Sequence, residues 1–128
     1  MKSLKPILVI SALVNGANII ADENYDHFPS LEAPNLTIAL CNLGSFNQQL
    51  ADITSKPELT ATDMVKIHEL TYTLENAIAR IREELTATAA DLEKVHKASE
   101  RLDGKTIATT GEKYLATTNQ ILRGASCD

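Results

Sequence analysis

The feature that most constrains the fold is a row of apolar or small residues that continues without a slip over residues 64–102. The row consists of Met64, Ile67, Thr71, Leu74, Ile78, Ile81, Leu85, Thr88, Leu92, Val95, Ser99 and Leu102. Steps that alternate between three and four residues form a seven-residue repeat, which places every member on one face of an α-helix. No glycine or proline interrupts residues 58–103. We therefore predict one long central helix over about 61–103, with this row buried.

The segments on either side of the long helix predict two shorter helices. Apolar residues recur at helical spacing over 35–54, and Pro57 then prevents the first helix from continuing. A turn signal at Asp103-Gly104 precedes the last helix, predicted over 105–123. Its expected buried face is Ile107, Gly111, Tyr114, Leu115, Thr118, Ile121 and Leu122. With no tryptophan and only 4% aromatic residues, the core must be largely aliphatic. The expected fold is an all-α helical bundle over 34–128, with the two shorter helices antiparallel to the long one.

An internal repeat gives a second interpretation of the long helix. Residues 60–75 (TATDMVKIHELTYTLE) resemble residues 88–103 (TAADLEKVHKASERLD), at an offset of 28. Thr60, followed by acidic Asp63, has the form of a capping box, so Thr88 is a second candidate helix start. That interpretation gives an up-down four-helix bundle that is stable as a monomer. The continuous helix, in contrast, has only two helices in each cross-section and predicts a homodimer.

The N-terminus has the pattern of a secretory signal peptide over residues 1–21. Lys2 and Lys5 precede an apolar run that ends near the small residue Ala21, and acidic residues follow from Asp22. The alternative is a retained anchor, for which the interrupted run is short. After cleavage we expect no stable membrane insertion. Residues 22–33, which contain Pro29, predict an extended N-terminal arm.

Two cysteines, Cys41 and Cys127, are the only ones in the chain. An even pair in an exported protein predicts a disulfide. If both shorter helices fold back on the long one, the last four residues reach from the end of the third helix to the level of Cys41. An intermolecular bond and two free thiols are the alternatives.

His68 and His96 are the candidate metal ligands. Each follows a residue of the apolar row and so lies at its edge. On one continuous helix they are about 42 Å apart, too far to share an ion. An antiparallel dimer with its axis near Arg82 would bring His68 of one chain beside His96 of the other. Met64 lies one turn before His68 and is a weaker candidate ligand, since its place in the row predicts core packing.

The charge and motif content exclude several classes of function. The net charge is −5 with no basic patch, so we expect no nucleic-acid binding. No phosphate-binding loop and no haem-attachment motif occur in the sequence. We find no candidate catalytic residue and expect no cofactor, apart from the alternative of a transition metal or haem.

Several segments together resemble a known family. They are residues 67–76 (IHELTYTLEN), 92–100 (LEKVHKASE), 26–28 (DHF) and 111–115 (GEKYL). They are similar to an uncharacterised family of short exported proteobacterial proteins that is known only as a domain of unknown function. The resemblance covers essentially the whole mature chain. It implies a periplasmic location in a Gram-negative bacterium and brings no activity.

These observations favour a non-enzymatic periplasmic helical protein that acts through protein–protein interaction, as an adaptor or with a stress-related, chaperone-like role. Its expected partner is a second copy of the chain or another protein. The alternative is a periplasmic protein that binds a metal or haem through His68, His96 or His27. An exposed apolar groove would favour the first interpretation, and three converging ligand atoms would favour the second.

Overall fold

A computed structural model describes residues 29–127 of the chain, and within that range it contains three α-helices and no strand. Helix α1 spans Leu36–Thr54, α2 spans Ala61–Glu100 and α3 spans Gly104–Arg123. The predicted all-α bundle with one long central helix is confirmed. The predicted signal peptide and residues 22–28 of the predicted arm lie outside the described residues. None of the described helices combines the length and apolar character that crossing a membrane requires.

Helix α2 begins at the predicted capping box and continues through the second copy of the repeat. The Thr60 hydroxyl accepts a hydrogen bond from the Asp63 backbone N–H at 3.2 Å, and the Asp63 carboxylate accepts one from the Thr60 N–H at 3.0 Å. Thr88 does not start a new helix, because its hydroxyl donates instead to the Glu84 carbonyl oxygen one turn earlier, at 2.7 Å. The helix is therefore continuous over 40 residues, about 60 Å.

The helix boundaries differ from the predicted ones where a polar residue caps the next helix. Asn35 was predicted as the first residue of α1 but is its N-cap, since its side chain accepts from the Ile38 N–H at 2.9 Å. Helix α2 ends at Glu100 rather than near residue 103. Asp103 instead caps α3 by accepting from the Thr106 N–H at 3.1 Å. The chain reverses direction at Leu102, which has a φ of 57° and is exposed, so Leu102 does not belong to the buried row.

The two shorter helices pack antiparallel to α2, one on each half of its length. The start of α1 is fixed beside the middle of α2, where the Arg80 guanidinium donates to the Ala33 carbonyl oxygen at 2.9 Å. On the other half, the Lys113 ammonium of α3 lies 2.7 Å from the Asp91 carboxylate. Gln120 of α3 donates to the Thr37 hydroxyl of α1 at 2.6 Å, so the two shorter helices meet over the middle of α2.

All but one of the buried residues of α2 lie one residue before members of the predicted row, and they define the buried line of the helix. The buried residues of α2 are Asp63, Leu70, Thr73, Ala77, Thr88, Asp91 and Ala98. Five of them share one heptad position, and each directly precedes a member of the predicted row. Within the predicted row, Thr88 is buried, and the half-buried members are Ile67, Thr71, Leu74, Ile81 and Val95. The prediction that the whole row is buried was therefore wrong.

Small side chains explain why the helices pack on this neighbouring face. Ala39 of α1 and Ala77 of α2 are both fully buried and belong to one cluster, and Ala98 is fully buried farther along α2. Alanine lets two helix backbones approach closely, which larger aliphatic side chains prevent. On α3, Leu115 and Leu122 were predicted to be buried but are exposed.

Candidate interaction surface

The exposed face of α2 carries two parallel rows of side chains, which we call the α2 stripe. The first row is Met64, Thr71, Ile78, Leu85 and Leu92, and the second is His68, Glu75, Arg82, Ala89 and His96. Each member of the second row lies four residues after one of the first, so the rows are neighbours on the helix surface. Four large apolar members of the first row (Met64, Ile78, Leu85 and Leu92) are between 47% and 53% exposed.

The stripe is exposed because both shorter helices pack on the alanine-lined side of α2. Three shallow, open grooves follow the stripe in sequence from Thr71 to His96. The middle groove has a volume of about 600 Å³ and is lined by Ile78, Ile81, Arg82, Leu85, Thr86 and Ala89. A long, mainly aliphatic groove with charges at intervals suits the apolar face of another helix.

The two candidate histidines lie on the stripe and contact neighbours on their own helix. His68 Nε2 is 3.2 Å from the Tyr72 hydroxyl, and the two rings meet edge to face with centroids 5.1 Å apart. His96 Nε2 is 3.4 Å from the Glu100 carboxylate. Both contacts are between residues four apart on α2.

The structure does not bring the candidate metal ligands together. His68 and His96 are on one continuous helix, about 42 Å apart along its axis. Met64 was expected in the core but is exposed at the start of the stripe. Within residues 29–127 no group of three or more His, Cys, Asp or Glu side chains is placed to hold a metal ion. His27 lies outside the described residues.

Two buried carboxylates attach the rest of the chain to α2. Asp63 is 2.5 Å from the Lys56 ammonium, which belongs to the connection after α1. The hydrogen bond from Lys56, followed by those from Thr60, holds the pKa of Asp63 well below its ordinary value. Asp91 is bonded to Lys113 of α3 and to Lys94, and the hydrogen bond from Lys113 is the largest cause of its lowered pKa.

Sequence reasoning did not single out these two carboxylates, although the internal repeat contained the signal. Asp63 and Asp91 are equivalent positions of the repeat, 28 residues or four heptads apart. Both therefore fall on the buried line of α2, one under each shorter helix. The repeat marks two equivalent attachment points on one helix and not two helix starts.

The two cysteines occupy positions that fit the predicted intramolecular pair. Cys41 of α1 and Cys127 of the C-terminal tail are bonded, with their Cα atoms 5.6 Å apart. The tail after Arg123 continues past the end of α3 to reach α1. The bond thus joins the two shorter helices, each of which packs on a different half of α2.

The model of a family of unknown function (DUF6746) matches residues 1–123. No curated protein and no solved structure matches the chain.

Proposed function

Since the chain belongs to the DUF6746 family, whose function is unknown, we propose its function from geometry: it is a non-enzymatic periplasmic protein that binds another protein through the α2 stripe. The role is that of an adaptor or a chaperone-like protein. The observation that carries the proposal is the exposure of Met64, Ile78, Leu85 and Leu92 on one helix face. An ordinary solvent-facing helix surface has charged and polar residues at such positions.

The regularity of the stripe supports a specific contact. Single exposed apolar residues are common on protein surfaces and need no explanation. Here the first row keeps one heptad position over five successive repeats. A row of this kind matches the contact face of a helix that packs against another helix along its length.

The disulfide supports the periplasmic location. Disulfides persist in oxidising compartments such as the bacterial periplasm and are rare in the cytosol. The pair formed by Cys41 and Cys127 therefore fits a protein that is exported before it folds. The pattern of residues 1–21 supplies the export signal in this proposal.

Site-specific photo-crosslinking in the exporting cell tests the binding surface. A photoreactive phenylalanine analogue replaces Ile78 in one variant and Leu92 in another. The matched control carries the analogue at Leu122, a leucine that is also exposed but lies on α3, away from the stripe. We expect protein adducts from both stripe positions and few or none from Leu122. Equal labelling at all three positions, or none at the stripe, would contradict the proposal.

The location is tested by fractionating the same cells and measuring the mass of the protein. We expect the protein in the periplasmic fraction. Its mass should correspond to a chain that begins at Asp22 and has two hydrogens fewer because of the disulfide. A cytosolic protein that retains residues 1–21 would contradict the export proposal, while the crosslinking result would still decide the binding surface.

A further inference from the structure

Two charged residues of the α2 stripe have no ion-pair partner among residues 29–127, although many neighbouring charges are paired. Off the stripe, Arg80 is 2.9 Å from Glu83, and Lys97 is 3.0 Å from Glu93. Glu75 and Arg82, by contrast, form no salt bridge within the described part of the chain. They flank Ile78 and are separated by two helical turns, about 10 Å, which is too far for them to pair with each other.

We infer that the α2 stripe binds a second copy of this chain in antiparallel orientation, with a two-fold axis between Ile78 and Ala79. This inference rests on the proposed function, because it names the partner of the same surface. In this arrangement Glu75 of each copy faces Arg82 of the other. The two charges that have no partner in the single chain then form two equivalent ion pairs across the axis.

The charge pattern selects this orientation over the others. In a parallel, in-register pair, Glu75 would face Glu75 and Arg82 would face Arg82, and like charges oppose association. An antiparallel pair with its axis at Arg82 would bring His68 opposite His96, but it would also place the two Arg82 guanidinium groups against each other. Moving the axis to the point midway between Glu75 and Arg82 removes this repulsion and places Glu75 of each copy against Arg82 of the other.

The apolar residues also match in this register. In the first row, Leu92 of one copy is within one residue of the level of Met64 of the other, and Leu85 is within one residue of the level of Thr71. Ala89 is level with His68, so the larger side chain faces a small one. Each of these contacts occurs twice because of the two-fold symmetry.

The length of the stripe is sufficient for a reversible interface. From Met64 to His96 it covers about 50 Å of helix, and a contact zone about 10 Å wide buries about 500 Å² on each copy. The total of about 1,000 Å² reaches the lower limit for a specific interface. In this register, the half of α2 that packs against α1 in one copy is level with the half of α2 that packs against α3 in the other copy. Where the two α2 helices overlap, each level of the dimer thus contains four helices, which corrects the thin cross-section of the single chain.

Charge reversal with rescue, followed by sedimentation equilibrium, tests this register. The variants are Glu75→Arg, Arg82→Glu and the double variant E75R/R82E, all in the full mature chain. The controls Glu112→Arg and Lys105→Glu make the same changes at exposed positions of α3. Circular dichroism of each variant confirms that the helices form.

We expect a reversible dimer for the unmodified protein. Each single reversal turns both ion pairs into like-charge contacts and weakens dimerisation by at least about tenfold. The double reversal restores both pairs and returns the dissociation constant to within about threefold of the original value. The α3 controls leave it unchanged.

Two outcomes would overturn the inference. One is an unmodified protein that is monomeric at every concentration, and the other is a double variant that dimerises no better than the single variants. The crosslinking experiment distinguishes a failure of the dimer inference from a failure of the proposed function. Adducts of Ile78 with a different protein would preserve the proposed function and eliminate the second copy as partner, whereas the absence of adducts would eliminate both.

Discussion

A matched pair of leucine truncations tests which face of α2 forms the core. Leu70 is 6% exposed and lies under α1, whereas Leu85 is 48% exposed and lies on the stripe. Both are inside one continuous helix, so replacing either with alanine changes helix propensity by the same amount. Leu70→Ala removes a buried side chain and leaves a cavity, and we expect a loss of about 3 kcal/mol of unfolding free energy. Leu85→Ala loses half the contact area and creates no cavity, so the loss is at most about 1 kcal/mol.

The assay is urea denaturation followed by far-ultraviolet circular dichroism, repeated over about a hundredfold range of protein concentration. At the lowest concentration the two variants report on the single chain alone. Equal losses there would refute the assignment of the core to the alanine-lined face. At the highest concentration the cost of Leu85→Ala should rise, because that residue then contributes to the interface between two copies.

Three further predictions concern the remaining contacts. Replacing Cys41 and Cys127 with serine removes a cross-link between positions that are 86 residues apart, and it should lower the free energy of unfolding by about 4.5 kcal/mol. An unchanged urea midpoint would contradict this. Ala77→Leu should cost about 1 to 3 kcal/mol in thermal unfolding, because Ala77 is fully buried against α1, while Ala90→Leu on the exposed side should change stability by under about 0.5 kcal/mol. The pKa of Asp63 is lower in the folded chain than in the unfolded chain. The contribution of its carboxylate to the free energy of unfolding is therefore complete above the unfolded pKa of about 3.9, and it is lost as the pH falls through the folded pKa. Asp63→Asn should therefore reduce the acid-induced loss of stability in unfolding curves measured across that range, and an identical pH profile would contradict this.

Local signals in the sequence predicted the helices and their order. Thr60 and Asp63 formed the capping box that they predict, and the absence of glycine and proline over 58–103 corresponds to the continuous α2. Boundaries were less accurate, because Asn35 and Asp103 can end one element or cap the next. Which of the two occurs depends on where the neighbouring chain runs, and propensity does not contain that information.

The sequence pattern also identified the first row of the stripe but predicted that it is buried. A heptad row indicates that residues share a helix face, but it does not indicate what covers that face. The shorter helices pack over Ala77 and Ala98, one position before members of the row, since close approach of the backbones favours small residues. The two histidines lie on the exposed stripe and not at the edge of a buried face, while the roles of Asp63 and Asp91 required knowledge of what packs above them.

The composition of the core connects stability with binding. The buried apolar residues within 29–127 are four alanines and two leucines, Ala33, Leu36, Ala39, Leu70, Ala77 and Ala98. Alanine contributes little apolar area, so helix packing alone gives a small stabilisation. The disulfide compensates for part of this by restricting the unfolded chain. Four large apolar side chains of the α2 stripe are about half exposed outside the core, and their area is buried only when a partner covers the stripe. A ligand that binds the folded chain and not the unfolded one stabilises it in proportion to the logarithm of its concentration. In this protein, therefore, occupation of the stripe and stability of the fold are expected to rise together.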